Sequence, residues 1–518
     1  MTELILKNGI VFDPINGVEG EKMDVMVKNG VIVEQVNERE CKVLDVKGMT
    51  VVPGGIDCNA HIASQILNIA RMTGVRIPLP RDLGEDYLRA GYTFVVEAGL
   101  PFSKVLHAHI VLENVHSLDK ACILLLDSNW FMAGFAAEGN YDAAVSAIAW
   151  LLRVTRTYGV ELVNPLSLEV WAWRREWKGA MEKVKHLDIS PLEYTKFVSL
   201  ALKRLNISSP LYLHPDGAGR KGGCEDAIEI LNGLKECGRI HLTHAQFYTL
   251  GSDGELHAEK LARYLDSNSD LDADVGCATV GAGTFAAHDA YFTKNVSEKL
   301  HVLEQIEVEG IATLTKTKRD LWEKFWEAGL ILLLAVNNHS KIQLSMDVPF
   351  CGLPLDYSSI AAWLVSKAAR KSVNSTERML QMDELKLQEL FTMTRSAPAL
   401  SLGLGKKGRL TVGADADIAV YDFDPETMDP SRDYERFARA LSRAAYTIKG
   451  GEIVVKNGEI VNKVKGRTFW VNCKVGKPPE EVLTTMERYL SFNPRQMEEI
   501  GRVLSGSYCS VEGGVSHV

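Results

Sequence analysis

An α/β fold is what this 518-residue sequence predicts: a closed, TIM-type (β/α)8 barrel, with a small β-sandwich assembled from both ends of the chain. Three observations carry the prediction. Apolar strand-like runs alternate with amphipathic helical stretches over residues 53–388, the pattern of repeated βα units. Seven such runs stand out, YTFVVEAG, ACILLLD, GVELVNP, PLYLHPDG, IHLTHAQF, ADVGCAT and ILLLAVN, a number that favours closure over an open sheet. A β-type pattern fills residues 3–52 and returns once the alternation ends.

In chain order, residues 1–52 read as short strands, ELILKNGIVFDP, DVMVKNGVIVEQV and CKVLDVKG, forming an antiparallel β unit. Asn8-Gly9, Asn16-Gly17 and Asn29-Gly30 mark its turns. Residues 53–388 form the barrel, with helices such as PLEYTKFVSLALKRLN and GCEDAIEILNGLKECG between the strands. Residues 389–475 supply the second part of the sandwich through KGRLTVGADADIAVYDFDP, RAAYTIKGGEIVVKNGEIV and GRTFWVNC. Gly413-Ala414-Asp415-Ala416-Asp417 shapes the turn before the strand Ile418-Ala419-Val420-Tyr421. Residues 476–518 read as a helical extension and a Gly/Ser-containing tail.

Composition narrows the function classes. A net charge of −9 argues against nucleic acid and against anionic membranes. The longest apolar runs, Ile123–Leu126 and Ile331–Leu334, are far too short to cross a bilayer, and the N-terminus lacks the pattern of a secretory signal. Nine scattered cysteines without a CxxC motif read as reduced thiols of a cytoplasmic protein.

GGIDCNAH at the end of the first barrel strand, the split β unit and the closing GKKGRLTVGADADIAVYD resemble the metal-dependent amidohydrolase superfamily. ELVNP at 161–165 with Trp171 and Trp173, LYLHPDGAG, HLTHAQF, QLSMDVPFCG and TRSAPALSLGL narrow the resemblance. They are similar to the A subunits of formylmethanofuran dehydrogenase and of the formyltransferase/hydrolase complex, over roughly residues 3–470. The resemblance implies a pair of zinc ions at the C-terminal mouth of the barrel, held by a His-x-His pair, a carboxylated lysine, further histidines and one aspartate. It also implies cleavage or formation of a formyl amide on a methanofuran-like or methylofuran-like C1 carrier, inside a hetero-oligomeric formyl-transfer complex.

Matched residue by residue, the resemblance assigns His61, His214, His244 and Asp347 to the metal, with Asp347 also moving the proton. For His214 a structural histidine, and for Asp347 a helix-capping loop aspartate, are the plain alternatives. His241 and His244 are three apart in one strand, so only one is expected to face the mouth, and His244 is nearer the strand end. Departures cluster on the same site. Asn59 stands where the pair's first histidine is expected, either as a poor ligand or as a strand-end cap. Ala172 stands where the lysine is expected, with Lys178 or Glu169 as compensators, and Leu166-Ser167 replace two glycines. Arg174, Arg175 and Asn164 are candidates for carrier binding, although a basic cluster such as Arg174, Arg175 and Lys178 also suits a solvated face. One zinc, two, or none are all compatible with this set.

Other patterns carry less. Gly281-Ala282-Gly283 lacks the spacing of a dinucleotide loop. His107 and His109 lie two apart in a helical run, SKVLHAHIVLENV, and so do not share a face. Two classes of function remain: a complex-bound hydrolase of formyl amides, or a catalytically degenerate scaffold or cofactor-binding paralogue. A cyclic-amide amidohydrolase is a third, disfavoured by the VNP, HPDG and THAQF segments.

Overall fold

The computed structural model describes residues 3–64, 67, 71, 77–127, 129–166, 179–276, 284–287, 305–307, 310–316, 319–373, 375–473, 478–489, 493–499 and 508–513. Eight parallel strands make the barrel: β1 Gly55–Ala60, β2 Tyr92–Pro101, β3 Asp119–Leu125, β4 Gly159–Val163, β5 Leu211–His214, β6 Ile240–Leu242, β7 Leu271–Gly276 and β8 Ile342–Ser345. Each pairs with the next from β1 to β8. The ring closes through a parallel bridge between Ala60 and Val348, where the His61 amide donates to the Val348 carbonyl at 2.7 Å.

Asp57 reinforces that closure from inside. Fully buried, it accepts from Tyr87 Oη at 2.6 Å, Ser345 Oγ at 2.8 Å and the amides of Asn59 and Met346. Four donors on one carboxylate tie the end of β1 to the end of β8. Between strands run helices whose apolar stripes face the barrel. Pro191–Leu205 starts on a reciprocal capping box between Ser190 and Glu193 and buries Tyr194, Phe197, Val198, Ala201, Leu202 and Leu205. Among the described residues no helix is long and apolar enough to cross a membrane.

Among the described residues the sandwich sheet has nine strands, from both chain ends. Its seam is Thr50–Pro53 running antiparallel to Ile418–Tyr421. Leu4, Leu6, Val25, Val27, Ile418, Val420 and Ile448 form its own core. The unit is mixed rather than antiparallel, because Glu3–Asp13 pairs in parallel with both Lys42–Asp45 and Thr50–Pro53. Asn8-Gly9 is not a turn: it is a bulge inside Glu3–Asp13, with Asn8 at φ 62°. Asn29-Gly30, both at positive φ, is the hairpin turn expected.

Two further expectations are corrected. ILLLAVN is no strand; it is mostly the end of the helix Arg319–Ala335, and the eighth strand is the following run Ile342–Ser345. A short apolar run reads alike as a buried strand or a helix buried all round, and Leu330, Ile331, Leu332 and Leu333 are all fully buried. GRTFWVNC does not join the sandwich. Its strand, Thr468–Cys473, lies parallel to β3, sends Phe469, Val471 and Cys473 into the barrel core, and pairs outward with Tyr508–Gly513 in the tail. The helical turns Thr392–Ser396 and Ala397–Ser401 also pack on β1 and β8.

Candidate metal centre

At the C-terminal mouth of the barrel the chain brings together residues from β1, β4, β5, β6, β7 and β8 or the turns just after them. His61 follows β1, His244 follows β6 and Asp347 follows β8. His61 Nε2 lies 3.2 Å from Asp347 Oδ1, and His244 Nε2 lies 3.5 Å from Asp347 Oδ2. Asn59 Nδ2 is 3.4 Å from the same His244 nitrogen. His214, at the end of β5, points its Nε2 at Glu161 Oε1 at 2.9 Å and packs its ring against His244 with centroids 5.1 Å apart. The Gly99 amide donates to Glu161 Oε2.

Local backbone explains the convergence. His244 has φ 55°, Asp347 41°, Asn164 42° and Leu166 62°, four left-handed non-glycine residues at the ends of β6, β8 and β4. Such strain concentrates where a chain must turn a side chain inward. Because β6 ends at Leu242 and His244 is left-handed, strand alternation does not hold between His241 and His244. His244 faces the mouth, as expected. His241 does not turn to the far side: it points inward one layer deeper, and the two imidazoles share Asp274. Gly276, on β7, leaves the space. A Cβ there would sit 2.4 Å from His244 Nδ1 and 3.0 Å from Asp347 Cβ.

Electrostatics follow from burial and charge. Burial alone would raise the Asp347 carboxyl, but His244 and His61 beside it and the Cys351 thiol at 3.0 Å hold it below the usual carboxylate range. Burial opposes charge on His244, yet Asp347 and Asp274 outweigh it and raise the imidazole to about 9. The same balance, with Asp347 as partner, raises His61. Burial would raise Glu161, but the bond from His214 brings it below its ordinary value, while burial leaves His214 lowered. Glu97 on β2 is the opposite case. Burial pushes it up to about 7 despite His61 and the amides of residues 62–64.

The residues present fit one metal ion. One nitrogen each of His61 and His244 and a carboxylate oxygen of Asp347 lie within 4.8 Å of one another. Two ligands each about 2.0–2.1 Å from a tetrahedral ion lie about 3.3–3.4 Å apart; His61 Nε2 stands 3.2 Å from Asp347 Oδ1 and His244 Nε2 3.5 Å from the other oxygen, Oδ2. His61 Nδ1 is anchored on the Ala98 carbonyl and His244 Nδ1 on Asp274, which leaves both Nε2 atoms aimed at the cleft. Among the described residues, Asn59 Oδ1, buried there, accepts no hydrogen bond, and Asp347 Oδ1 faces only the His61 ring. Asp119, Asp415 and Asp417 also cluster, but Lys407, Lys449 and Arg467 neutralise them.

Of the residues singled out in the sequence, His61, His214, His244, Asp347 and Asn59 meet at the mouth. Asn164 is buried at the end of β4, its amide donating to the His214 carbonyl at 2.8 Å. Glu169, Ala172, Arg174, Arg175 and Lys178 lie outside the described residues. Sequence reasoning passes over Glu161, Glu97, Asp274 and Cys351. An acid flanked by valine and leucine in the middle of GVELV is the signal that Glu161 offers, since an unpaired buried carboxylate is costly.

Residues 42–455 match the model of the amidohydrolase family. Protein FwdA of Methanocaldococcus jannaschii is 32% identical over 547 residues, covering 95% of each chain. The A subunit of the formyltransferase/hydrolase complex Fhc of Methylorubrum extorquens is 25% identical over 512 residues, covering 90% of each. In fold, the chain is similar to the crystal structure of the formyltransferase/hydrolase complex FhcABCD from Methylorubrum extorquens in complex with methylofuran. The TM-score is 0.85 at 22% identity, over 99% of this chain and 100% of that one. By sequence, and with a barrel and split sandwich to match, this chain belongs to the amidohydrolase family.

Proposed function

We propose that the chain is the subunit of a cytoplasmic formylmethanofuran dehydrogenase-like or formyltransferase/hydrolase complex that cleaves or forms a formyl amide on a furan-type C1 carrier. The observation that carries the reading is the His61–Asp347–His244 cluster at the barrel mouth of a chain 32% identical to Protein FwdA over 95% of each. His61, His244 and Asp347 would hold the metal, with zinc the ion that imidazole and carboxylate donors suit best. A bound zinc supplies Lewis-acid polarisation of the formyl carbonyl and makes water nucleophilic near neutral pH.

The protein's own groups do the rest. Asp347, kept ionised by its two histidines, takes the proton from attacking water on a carboxylate oxygen and returns it to the departing amine nitrogen. His214, with Nε2 donating to Glu161, is fixed at the mouth with its ring across from His244. Glu97 holds the turn after β1 through the Ala63 amide at 2.9 Å, and so holds His61 in place.

Asn59 and Ala172, in place of a histidine and a lysine, favour a second reading, a carrier-binding scaffold without hydrolysis. Assay of an N-formylated furfurylamine carrier with the metal-loaded chain separates the two. Hydrolysis is expected, falling about 10²–10⁴-fold in Asp347→Asn. No turnover above the buffer rate in the metal-loaded wild type would leave the scaffold reading.

A further inference from the structure

Beneath the mouth, a line of buried and half-buried carboxylates and imidazoles runs down through the barrel. His244 Nδ1 meets Asp274 Oδ1 at 3.0 Å, and the His244 amide donates to the same oxygen at 3.1 Å. The other oxygen of Asp274 meets His241 Nε2 at 2.9 Å. His241 Nδ1 is bonded in turn to Asp272 Oδ1, which also accepts from Ser401 Oγ at 3.1 Å and Gln343 Nε2 at 3.2 Å. Asp272 and Asp274 are two apart on β7 and therefore share its inner face. His241 and Asp274 are fully buried, and Tyr212 lies against the His241 ring with centroids 4.5 Å apart.

The partners of each ring nitrogen constrain where the hydrogens sit. Ionised carboxylates only accept, so both ring nitrogens of His241 must donate, and His241 is an imidazolium between two carboxylates. Burial opposes that charge, but Asp272 and Asp274 outweigh it and raise His241 to about 9. Asp274 then has one oxygen committed to His241 and the other to His244. That second oxygen receives both the ring N–H and the backbone N–H of His244, which sets the rotation of the imidazole as well as its tautomer. With a metal ion in place of the Nε2 proton, the lone pair of His244 is on Nε2, facing Asp347.

We propose that Asp274 and His241 are positioning residues for the metal-facing imidazole, with Asp272 as the anchor of the chain. The inference rests on the reading of His61, His244 and Asp347 as metal ligands. Cys58, His241 and Asp274 also come within ligand distance of one another, but both nitrogens of His241 and both oxygens of Asp274 are taken up by this chain of bonds. The group is a support for the site above it, not a second metal site.

Cobalt(II) titration of the full chain against a chromophoric chelator tests the proposal. Asp274→Asn replaces an acceptor by an amide of the same shape, and His241→Gln removes the imidazolium. Each is expected to weaken cobalt binding about 10–100-fold while near-ultraviolet circular dichroism stays that of wild type. A folded variant that binds as tightly as wild type overturns the positioning role. A wild type that binds no cobalt at all instead sinks the metal reading. Neutron diffraction from the unmodified, metal-loaded chain tests the same inference without any variant. Deuterium is expected on both ring nitrogens of His241 and on Nδ1 of His244. A singly deuterated His241, or a bare Nδ1 on His244, overturns it.

Discussion

Gly276 has no room for a methyl group, and that single fact links β7 to the metal cluster. An alanine Cβ would overlap His244 Nδ1 at 2.4 Å and crowd Asp347. Gly276→Ala is therefore expected to push His244 off its bond to Asp274 and weaken metal binding at least about 10-fold, read by chelator competition; unchanged affinity would contradict the packing described. Leu166 makes the complementary point. Where the family pattern has glycine, a buried leucine holds the left-handed φ of 62°, its amide donating to the Asp127 carbonyl at 2.9 Å. At this scale the sequence is legible where a polar residue ends or follows a strand at the mouth, as for His61, His214 and Asp347, although His214 turns its Nε2 to Glu161 and stands outside the His61–Asp347–His244 cluster. It is illegible where the left-handed His244 breaks the alternation, so that His241 points inward rather than to the far side. Glu161 is hidden for another reason: its role depends on a partner, His214, 53 positions away.

Elements show the same division between local and long-range signals. The helix Pro191–Leu205 is readable because capping residue, first-turn proline and apolar spacing all agree. ILLLAVN misleads because length and flanks, not its composition, decide between strand and buried helix. The helix Val105–Glu113 carries a testable consequence. Its His109 is 1% exposed and bonded through Nε2 to the Thr155 carbonyl at 2.8 Å, and burial lowers it to about 4 from 6.5. The folded state thus prefers the neutral ring. Between pH 6.5 and 4 the unfolded chain binds the proton that the folded chain refuses, so this contribution is fully present above 6.5 and lost as pH falls towards 4. From pH 7 to pH 5 the loss is about 2 kcal/mol. Urea unfolding at the two pH values should show His109→Gln losing less stability than wild type by that amount. Equal losses would place the titration elsewhere.

Across the whole molecule, barrel and sandwich are joined by charges as well as by chain. Asp119 at the foot of β3 meets Lys449 at 2.8 Å and Arg467 at 2.9 Å, Lys407 contacts Asp119, Asp415 and Asp417, and Lys449 returns to Asp417 at 2.8 Å. Acids and bases balance, so the network stands although most of it is buried. Lys407→Met leaves three carboxylates with two cations, and is expected to cost about 3–5 kcal/mol, read as a lowered unfolding midpoint; a shift within error would show the network relaxing around the loss. No residue pattern announces this contact, because its members span Asp119 to Arg467. The split sandwich is visible from its two matching β patterns, yet GRTFWVNC reads as part of it because strand character says nothing about which sheet a strand joins. The central claim, that the barrel mouth holds a metal through His61, His244 and Asp347, is tested most directly by elemental analysis of the chain purified without chelator. About one zinc per chain is predicted in the wild type, and essentially none in a His61→Ala/His244→Ala double variant. A wild type without metal, or a double variant that keeps it, would contradict the account.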